Sequence, residues 1–391
     1  MPLRSESDRM EIVRRWQAGF AHWAGLGRSA AFVHAGQARR RFALSALSVV
    51  GLSSVWAPVV YAQQRPVYRP LTDFLRIEAA QVIVGDENAR GPALFGDIHG
   101  VTVDGQGNLY VLDFSDRSVR AFSRTGQHLG SAGRQGRGPG DLISPLTIWH
   151  DGREFLYIVD QIDGVSRFRT GAGAPRYDTR FAAELQPKSI CGIGGQLYVG
   201  AVTESGIVHA ITTDGRILRS FDGRFRSDSI PGVQEALNMS QLKLACDEQA
   251  GRIFVAEGAN SRVRGYEAGG RLLWESKLPE YDGTTAGVNR NPRGIAFFYG
   301  SHQTRTVTRI GRNLLVVQAR HVSRRRNPAN PMALLTTDHD IVTWVLSAAT
   351  GQVLTRQGGA PFLSLSRGDL TVGYVGEPLP QVMLMRVEPR R

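Results

Sequence analysis

One short pattern of alternating apolar residues recurs six times along this chain. Each copy places a Leu or Ile and, two positions later, a Val or Ile, as in Leu109-Tyr-Val111. The leading residues of the copies are Leu109, Leu156, Leu197, Ile253, Leu314 and Leu370. This alternation predicts short strands, and intervals of roughly 40 to 60 residues between copies suit one four-stranded unit repeated around a ring. The chain is therefore predicted to be all-β, a six-bladed β-propeller.

A second repeat, of glycine-containing turns, runs in phase with the first. Four turns place a glycine three residues before a leucine, and these glycines are Gly126, Gly215, Gly270 and Gly351. Because glycine adopts positive φ without steric cost, it suits the tight hairpins between outer strands. No long segment after residue 64 shows helical apolar periodicity. The two repeats together predict a single propeller domain over residues 63–391.

The last blade is one strand short if it is built from the C-terminus alone. Residues 361–366, 370–374 and 381–387 supply three strands, after which the chain stops. Residues 74–84 precede the first blade and are rich in β-forming side chains. We therefore expect this N-terminal strand to pair into the last blade, which would close the ring and remove an open sheet edge.

Residues 1–62 have the character of an export leader. Arg39-Arg40-Arg41-Phe42 precedes an uncharged run over residues 42–64, and Val60-Tyr61-Ala62 is a suitable cleavage site for a signal peptidase. The arginines also resemble a twin-arginine signal. We expect a periplasmic or secreted protein with no integral membrane span after cleavage. The run is long enough to cross a bilayer, so an uncleaved membrane anchor is the alternative. Met10 is an alternative start, and residues 1–38 receive no function.

Residues 98–145 are similar to an NHL-type propeller repeat. They contain an inner strand at 98–104, an Asp113-Phe-Ser-Asp116 turn into the third strand and a glycine-rich linker at 133–140. Residues 257–263 resemble the same turn, whereas blades three, five and six match only through inner strands and turns. The resemblance implies a six-bladed propeller. It also admits an enzyme, a lyase or a lactonase-like hydrolase, as the alternative to a binding module, because a fold does not determine its function.

The excess of positive charge is shared between the leader and the domain. Of the net charge of +12, residues 1–63 carry eight Arg and three acids, so +5 belongs to the leader and about +7 to the remainder. A basic exported surface suits an anionic small molecule, a glycan or an envelope protein as partner. Nothing resembles an RRM, KH, OB or helix-turn-helix pattern, which argues against nucleic acid. We expect a monomer.

Basic side chains are predicted to gather where the inner strands begin, at the mouth of the central channel. Ligands of propellers generally bind at this end. Blade five adds an insertion over residues 318–340, expected to be a long loop, whose arginines suit carboxylate or phosphate. The predicted ligand-binding residues are His99, Lys188, Arg305, Arg320, Arg324, Arg325 and Arg326. The predicted function is a non-catalytic binding module with a basic channel mouth.

No convergent set of metal ligands or nucleophiles emerges from the sequence, so no catalytic residue, metal site or cofactor is predicted. Lyase and gluconolactonase-like relatives need histidines, or carboxylates with an Asn, around a central ion. Acids recur instead at the turns between second and third strands, where Asp side chains stabilise their own turns. These acids are Asp113, Asp116, Asp160, Asp163 and Glu257. An acid–base pair of His99 with Asp113 is the catalytic alternative.

The two cysteines fall near the ends of inner strands in adjacent blades. Cys191 and Cys246 are far apart in the chain, with no nearby pair of histidines that would suggest zinc. Export permits a disulfide. We expect two free thiols instead, because inner strands of neighbouring blades are expected to diverge beyond the roughly 7 Å between Cα atoms that a disulfide tolerates.

Overall fold

The computed structural model describes residues 68–86, 88–223, 242–258, 261–283, 285–288, 295–298, 301–327, 330–376 and 379–390. At residue 82 and over 285–288, 295–298, 322–327 and 330–339 it describes the backbone alone. Two units divide the chain, Met1–Pro66 and Val67–Arg391. The first unit, and with it the leader predicted over residues 1–62, lies outside the described residues.

The described part is built almost entirely from short antiparallel strands. A 3-10 turn at Leu71–Asp73 precedes strands β1 (Leu75–Ile77) and β2 (Val82–Val84), and two further 3-10 turns lie at Gly91–Ala93 and Ala183–Leu185. Blade one contains β3 (Ile98–Val103), β4 (Leu109–Asp113), β5 (Ser118–Phe122) and β6 (His128–Ala132). Blade two contains β7 (Pro145–His150), β8 (Phe155–Asp160), β9 (Gly164–Arg169) and β10 (Arg176–Phe181). Blade three contains β11 (Ser189–Ile193), β12 (Gln196–Thr203), β13 (Gly206–Ile211) and β14 (Ile217–Phe221).

The second half of the ring has the same plan with one extra hairpin. Blade four contains β15 (Leu242–Asp247), β16 (Arg252–Glu257), β17 (Arg262–Glu267) and β18 (Leu272–Lys277). A separate hairpin follows, made of β19 (Thr285–Val288) and β20 (Ile295–Phe298). Blade five contains β21 (His302–Ile310), β22 (Leu314–Asn327), β23 (Asn330–Ser347) and β24 (Val353–Gly358). Blade six contains β25 (Phe362–Arg367), β26 (Leu370–Val375) and β27 (Gln381–Pro389). The prediction of a six-bladed, all-β propeller is confirmed.

The core lies between the blades rather than at one centre. Six apolar clusters of described residues fill the spaces between neighbouring blades. The cluster between blades six and one, for example, packs Val101 and Val111 against Phe362 and Leu384. Strand residues alternate between the two faces of a sheet, so each blade presents apolar side chains to both neighbours. The inner strands contact one another in chain order, and β25 contacts β3 again, which completes the ring.

Two N-terminal strands close the ring, as expected for residues 74–84. Both pair with β27, the third strand of blade six: Leu75 lies opposite Pro389, and Val82 lies opposite Leu384. Between them, the backbone amides of Glu78 and Gln81 donate to carbonyl groups of β27. The outer edge of β27 is therefore covered along its length. The expected single strand is two short strands laid end to end.

The glycine turns have the geometry that the sequence predicts. Gly126, Gly215, Gly270 and Gly351 have φ angles of +85°, +96°, +92° and +73°, in the region that side chains disfavour. Each lies in the turn that joins the third strand of a blade to the outer one. The repeated glycines therefore allow the outer strands to fold back tightly in four blades.

The insertion in blade five is a hairpin, not the loop that we expected. Strands β22 and β23 are 14 and 18 residues long, and they remain paired from Leu314 opposite Ser347 to Asn327 opposite Asn330. Their pairing continues beyond His321, where the inner strand β21 ends its own pairing with β22. Extension of the ladder satisfies the backbone donors and acceptors of the insertion, which a long loop would leave to solvent.

The prediction of two free thiols is wrong. Cys191 in β11 and Cys246 in β15 form a disulfide, with 5.6 Å between their Cα atoms. Neighbouring inner strands converge on the channel axis, so the same position on two adjacent inner strands falls within bridging distance. The disulfide therefore joins the inner strands of blades three and four.

Candidate functional site

The six inner strands surround a cavity of about 100 Å³ on the channel axis. Every blade contributes lining residues: Val101, Ile148, Cys191, Lys243, Arg305 and Leu365 are one from each of blades one to six. Several waters or a small anion fit into this volume. We call the end at which the inner strands begin the channel mouth.

Two cations from adjacent blades lie together in this cavity. Lys243 is the second residue of β15, and Arg305 lies in β21 where the register with β22 shifts between Thr304 and Thr306. Burial lowers the pKa of Lys243 to about 8, and the positive charge of Arg305 adds to this lowering. Among the described residues, neither side chain forms an ion pair or a hydrogen bond. The cavity therefore contains two positive groups that form no ion pair and no hydrogen bond within the described part of the chain.

One acid at the mouth lies near Arg305, and it already has a hydrogen-bond partner. Asp97 Oδ2 lies 3.2 Å from His99 Nε2. The hydrogen bond from His99 is the main cause that holds the pKa of Asp97 below its usual range, and the charges of Arg305 and Arg320 contribute further. His99 Nδ1 lies 2.9 Å from the carbonyl of Pro145, and its ring stacks on Phe114. His99 and Asp97 thus form a hydrogen-bonded pair at the channel mouth, and the contacts with Pro145 and Phe114 fix the His99 ring.

The structure brings only some of the predicted binding residues together. Arg305, Arg320 and His99 all lower the pKa of Asp97. Lys188 is only 5% exposed, just before β11, and is absent from the cavity lining. Burial lowers the pKa of Lys188 as well, and its ammonium has no hydrogen-bond or ion-pair partner within the described ranges. Arg324, Arg325 and Arg326 lie on β22, where the described structure is limited to the backbone.

The repeated acids at the turns between second and third strands have a structural role, as predicted. Asp113 is fully buried and accepts hydrogen bonds from the backbone amides of Gly96, Asp97 and Ser115 at 2.9 to 3.1 Å. It also pairs with Arg120 at 3.1 Å. The alternative that joined His99 to Asp113 as an acid–base pair is wrong, because His99 pairs with Asp97 and the oxygens of Asp113 are occupied.

Asp160 plays the same part in blade two. Its carboxylate accepts from the amides of Ile143 and Ser144, which precede the inner strand, and from Ile162 in its own turn. Asp113 and Asp160 each connect the segment before the inner strand of their blade to the turn between its second and third strands. Within the described residues, no group of three or more His, Cys, Asp or Glu is placed to hold a metal ion.

Sequence reasoning missed Lys243, although the sequence contains a signal for it. Lys188-Ser-Ile-Cys191 and Lys243-Leu-Ala-Cys246 share the spacing of a lysine three residues before a cysteine. The shared spacing places the two segments at the same position of two inner strands. Reading them as equivalent would have pointed both to the disulfide and to a second lysine near the mouth.

Several solved structures are similar to this chain at low sequence identity. A member of the duf4221 family from Bacteroides vulgatus is 8% identical, with a TM-score of 0.50 over 81% of this chain and 99% of that one. A putative exported protein from Bacteroides fragilis is 10% identical, with a TM-score of 0.47 over 81% and 96% of the two chains. Virginiamycin B lyase from Staphylococcus aureus is 10% identical, with a TM-score of 0.44 over 80% and 99%. No family model and no curated protein sequence matches this chain.

Proposed function

We propose that this protein is an exported six-bladed β-propeller that binds an anionic group, a carboxylate or a phosphate, at its channel mouth without catalysis. The observation that carries the proposal is the adjacency of Arg305 and Lys243 in the central cavity, with no ion pair to either within the described residues. Placing two like charges together at half-buried positions is unfavourable, and an anion between them relieves that cost. The forked donors of Arg305 suit both carboxylate and phosphate oxygens.

Asp97 moderates this positive field without cancelling it. The positive charges of Arg305 and Arg320 lower the pKa of its carboxyl group. Its side chain is half exposed and hydrogen-bonded to His99. A partly solvated carboxylate screens its neighbours weakly. The cavity between Lys243 and Arg305 therefore remains the more favourable place for an incoming anion.

The size of the cavity limits how a partner presents its anion. About 100 Å³ accommodates a single carboxylate or phosphate group. An anionic small molecule enters entirely, whereas an acidic glycan or an envelope protein would insert one charged group from outside. The paired hairpin of blade five extends from the same end of the channel. It supports the proposal because it would contact the remainder of such a partner.

Removal of the Arg305 guanidinium tests the site. We expect Arg305→Gln to weaken binding of malonate and of inorganic phosphate by about tenfold or more, and to flatten the salt dependence of binding. Isothermal titration calorimetry at low and high salt measures both. Lys277→Gln is the matched control, because Lys277 is exposed on the outer strand of blade four. Equal affinity of Arg305→Gln and the unchanged protein, with a lower melting temperature, would show that Arg305 has a structural role alone.

Export is the second part of the proposal, and it rests on the leader sequence. The cleavage site at Val60-Tyr61-Ala62 predicts a mature chain that begins at Gln63. No helix in the part of the chain that the structure describes is long and apolar enough to span a membrane. N-terminal sequencing of the protein from the cell envelope measures the cleavage. A membrane-bound chain that retains residues 42–62 would establish an anchor instead.

A further inference from the structure

The side-chain amine of Lys243 has an environment that favours the neutral, nucleophilic form. It faces a cavity lined largely by uncharged residues, among them Ile148, Leu244 and Leu365. Its charged neighbour is Arg305, which is positive, and no described acid pairs with it. Desolvation and a neighbouring cation both disfavour an ammonium ion, and this combination activates lysine as a nucleophile.

The fraction of reactive amine follows from this environment. Because its pKa is lowered to about 8, Lys243 is neutral at pH 7 much more often than an ordinary lysine, whose pKa is about 10.4. A neutral amine that opens into a cavity can reach a small dissolved carbonyl compound. Lys188 does not share this access, because it is buried and does not line the cavity.

We propose that Lys243 is a covalent binding site that forms an imine with a small 2-oxo acid whose carboxylate is held by Arg305. The nitrogen lone pair of Lys243 attacks the carbonyl carbon, and one proton of the amine passes to the carbonyl oxygen, which gives a carbinolamine. The second proton of the amine passes to the hydroxyl group, which leaves as water while the carbon–nitrogen double bond forms. One water is released for each imine, and no oxidant or reductant is required.

The two cations divide the recognition of such a molecule between them. Arg305 donates paired hydrogen bonds to the carboxylate, and the adjacent carbonyl carbon is then presented to Lys243 in the next blade. A 2-oxo acid of three or so carbon atoms is small enough for the cavity. This inference rests on the proposed anion site, since the same arginine holds the carboxylate in both.

The disulfide restrains the strand that carries Lys243. Cys191 and Cys246 line the same cavity, and Cys246 follows Lys243 by three positions on the same strand. The covalent link to blade three restrains the inner strand that bears Lys243. A restrained strand keeps the amine close to Arg305 on β21, as a positioned nucleophile requires.

Reductive trapping tests the proposal, and the chain contains its own controls. It has three lysines, which are Lys188, Lys243 and Lys277. The protein is incubated with glyoxylate or pyruvate and cyanoborohydride at pH 7, and modification is mapped by peptide mass spectrometry. We expect Lys243 to be modified about tenfold or more faster than the exposed Lys277, and malonate to slow modification of Lys243 alone. Lys243→Arg should abolish the fast modification.

Two further comparisons separate this inference from the anion site itself. Arg305→Gln should slow trapping of glyoxylate more than trapping of acetaldehyde, because acetaldehyde has no carboxylate for Arg305 to hold. Similar modification rates of Lys243 and Lys277 would overturn the imine proposal. If malonate still binds in an Arg305-dependent manner in that case, the anion site stands and only the covalent chemistry is lost. Loss of both results would overturn the two proposals together.

Discussion

Deletion of residues 74–84 is expected to lower the melting temperature of the whole domain by about 10 °C or more, in one cooperative step. These residues supply β1 and β2, which cover the outer edge of β27. Leu75 and Val84 are buried, at 2% and 4% exposure, and each contributes roughly 1.5–3 kcal/mol through burial alone. Loss of the backbone ladder to β27 adds to this cost. The exposed edge would also favour association between chains.

The deletion is measured by differential scanning calorimetry together with size-exclusion chromatography. Two point variants provide matched controls within the same strands. Leu75→Asp places a charge in the buried cluster between blades five and six and should reproduce most of the loss. Ile83→Asp changes a side chain of β2 that is 49% exposed and should have a small effect. A melting temperature within about 2 °C of the unchanged protein after deletion would show that the ring does not depend on this closure.

Loss of the guanidinium of Arg264 is the point change expected to cost most in stability. Arg264 on β17 of blade four pairs with Glu257 in its own blade and with Asp222 at the end of blade three. None of the three side chains is more than 4% exposed. Arg264→Met leaves two carboxylates buried without their shared cation, and the expected loss of unfolding free energy is about 3–5 kcal/mol.

Urea unfolding measures this loss as a shift of the midpoint at constant slope. Arg271→Met is the matched control: Arg271 lies in the same blade, pairs with Glu267 at the surface and is 69% exposed, so its loss should cost less than about 1 kcal/mol. Neutralising both acids in the background of Arg264→Met, as Glu257→Gln with Asp222→Asn, should recover part of the stability. Equal midpoints for Arg264→Met and Arg271→Met would contradict a structural role for this buried group.

The two stability experiments also bear on the proposed site. Arg264 and the closing strands lie away from the cavity lining, so their loss should change stability and leave the affinity for malonate unchanged in the folded fraction. Arg305→Gln is expected to do the reverse, because its guanidinium forms no hydrogen bond within the described structure. A propeller whose ring stability and mouth chemistry respond to different residues can change ligands without losing its fold.

Much of the architecture was determined by the sequence alone, because it depends on local properties. The alternation at Leu109 and Val111, repeated around the ring, specifies strands through the two-residue period of a sheet. Gly126 and its counterparts specify tight turns because they adopt positive φ. The missing strand of the last blade pointed to residues 74–84 by elimination. The repeated acids were assigned a structural role because they recur at equivalent turns of three blades, and Asp113 and Asp160 confirm it.

Only the tertiary structure decided what meets at the channel. Cys191 and Cys246 are bonded, Lys243 adjoins Arg305, and Lys188 is buried apart from them. The channel is assembled from six segments that are well separated in the chain. Distances across it depend on how closely the apolar faces of neighbouring blades pack, and on a register shift beside Arg305. The periodicity of the strands specifies neither the packing distance between blades nor the register shift. The sequence therefore predicted a basic mouth, whereas the packing of the blades determined which cations lie together in it.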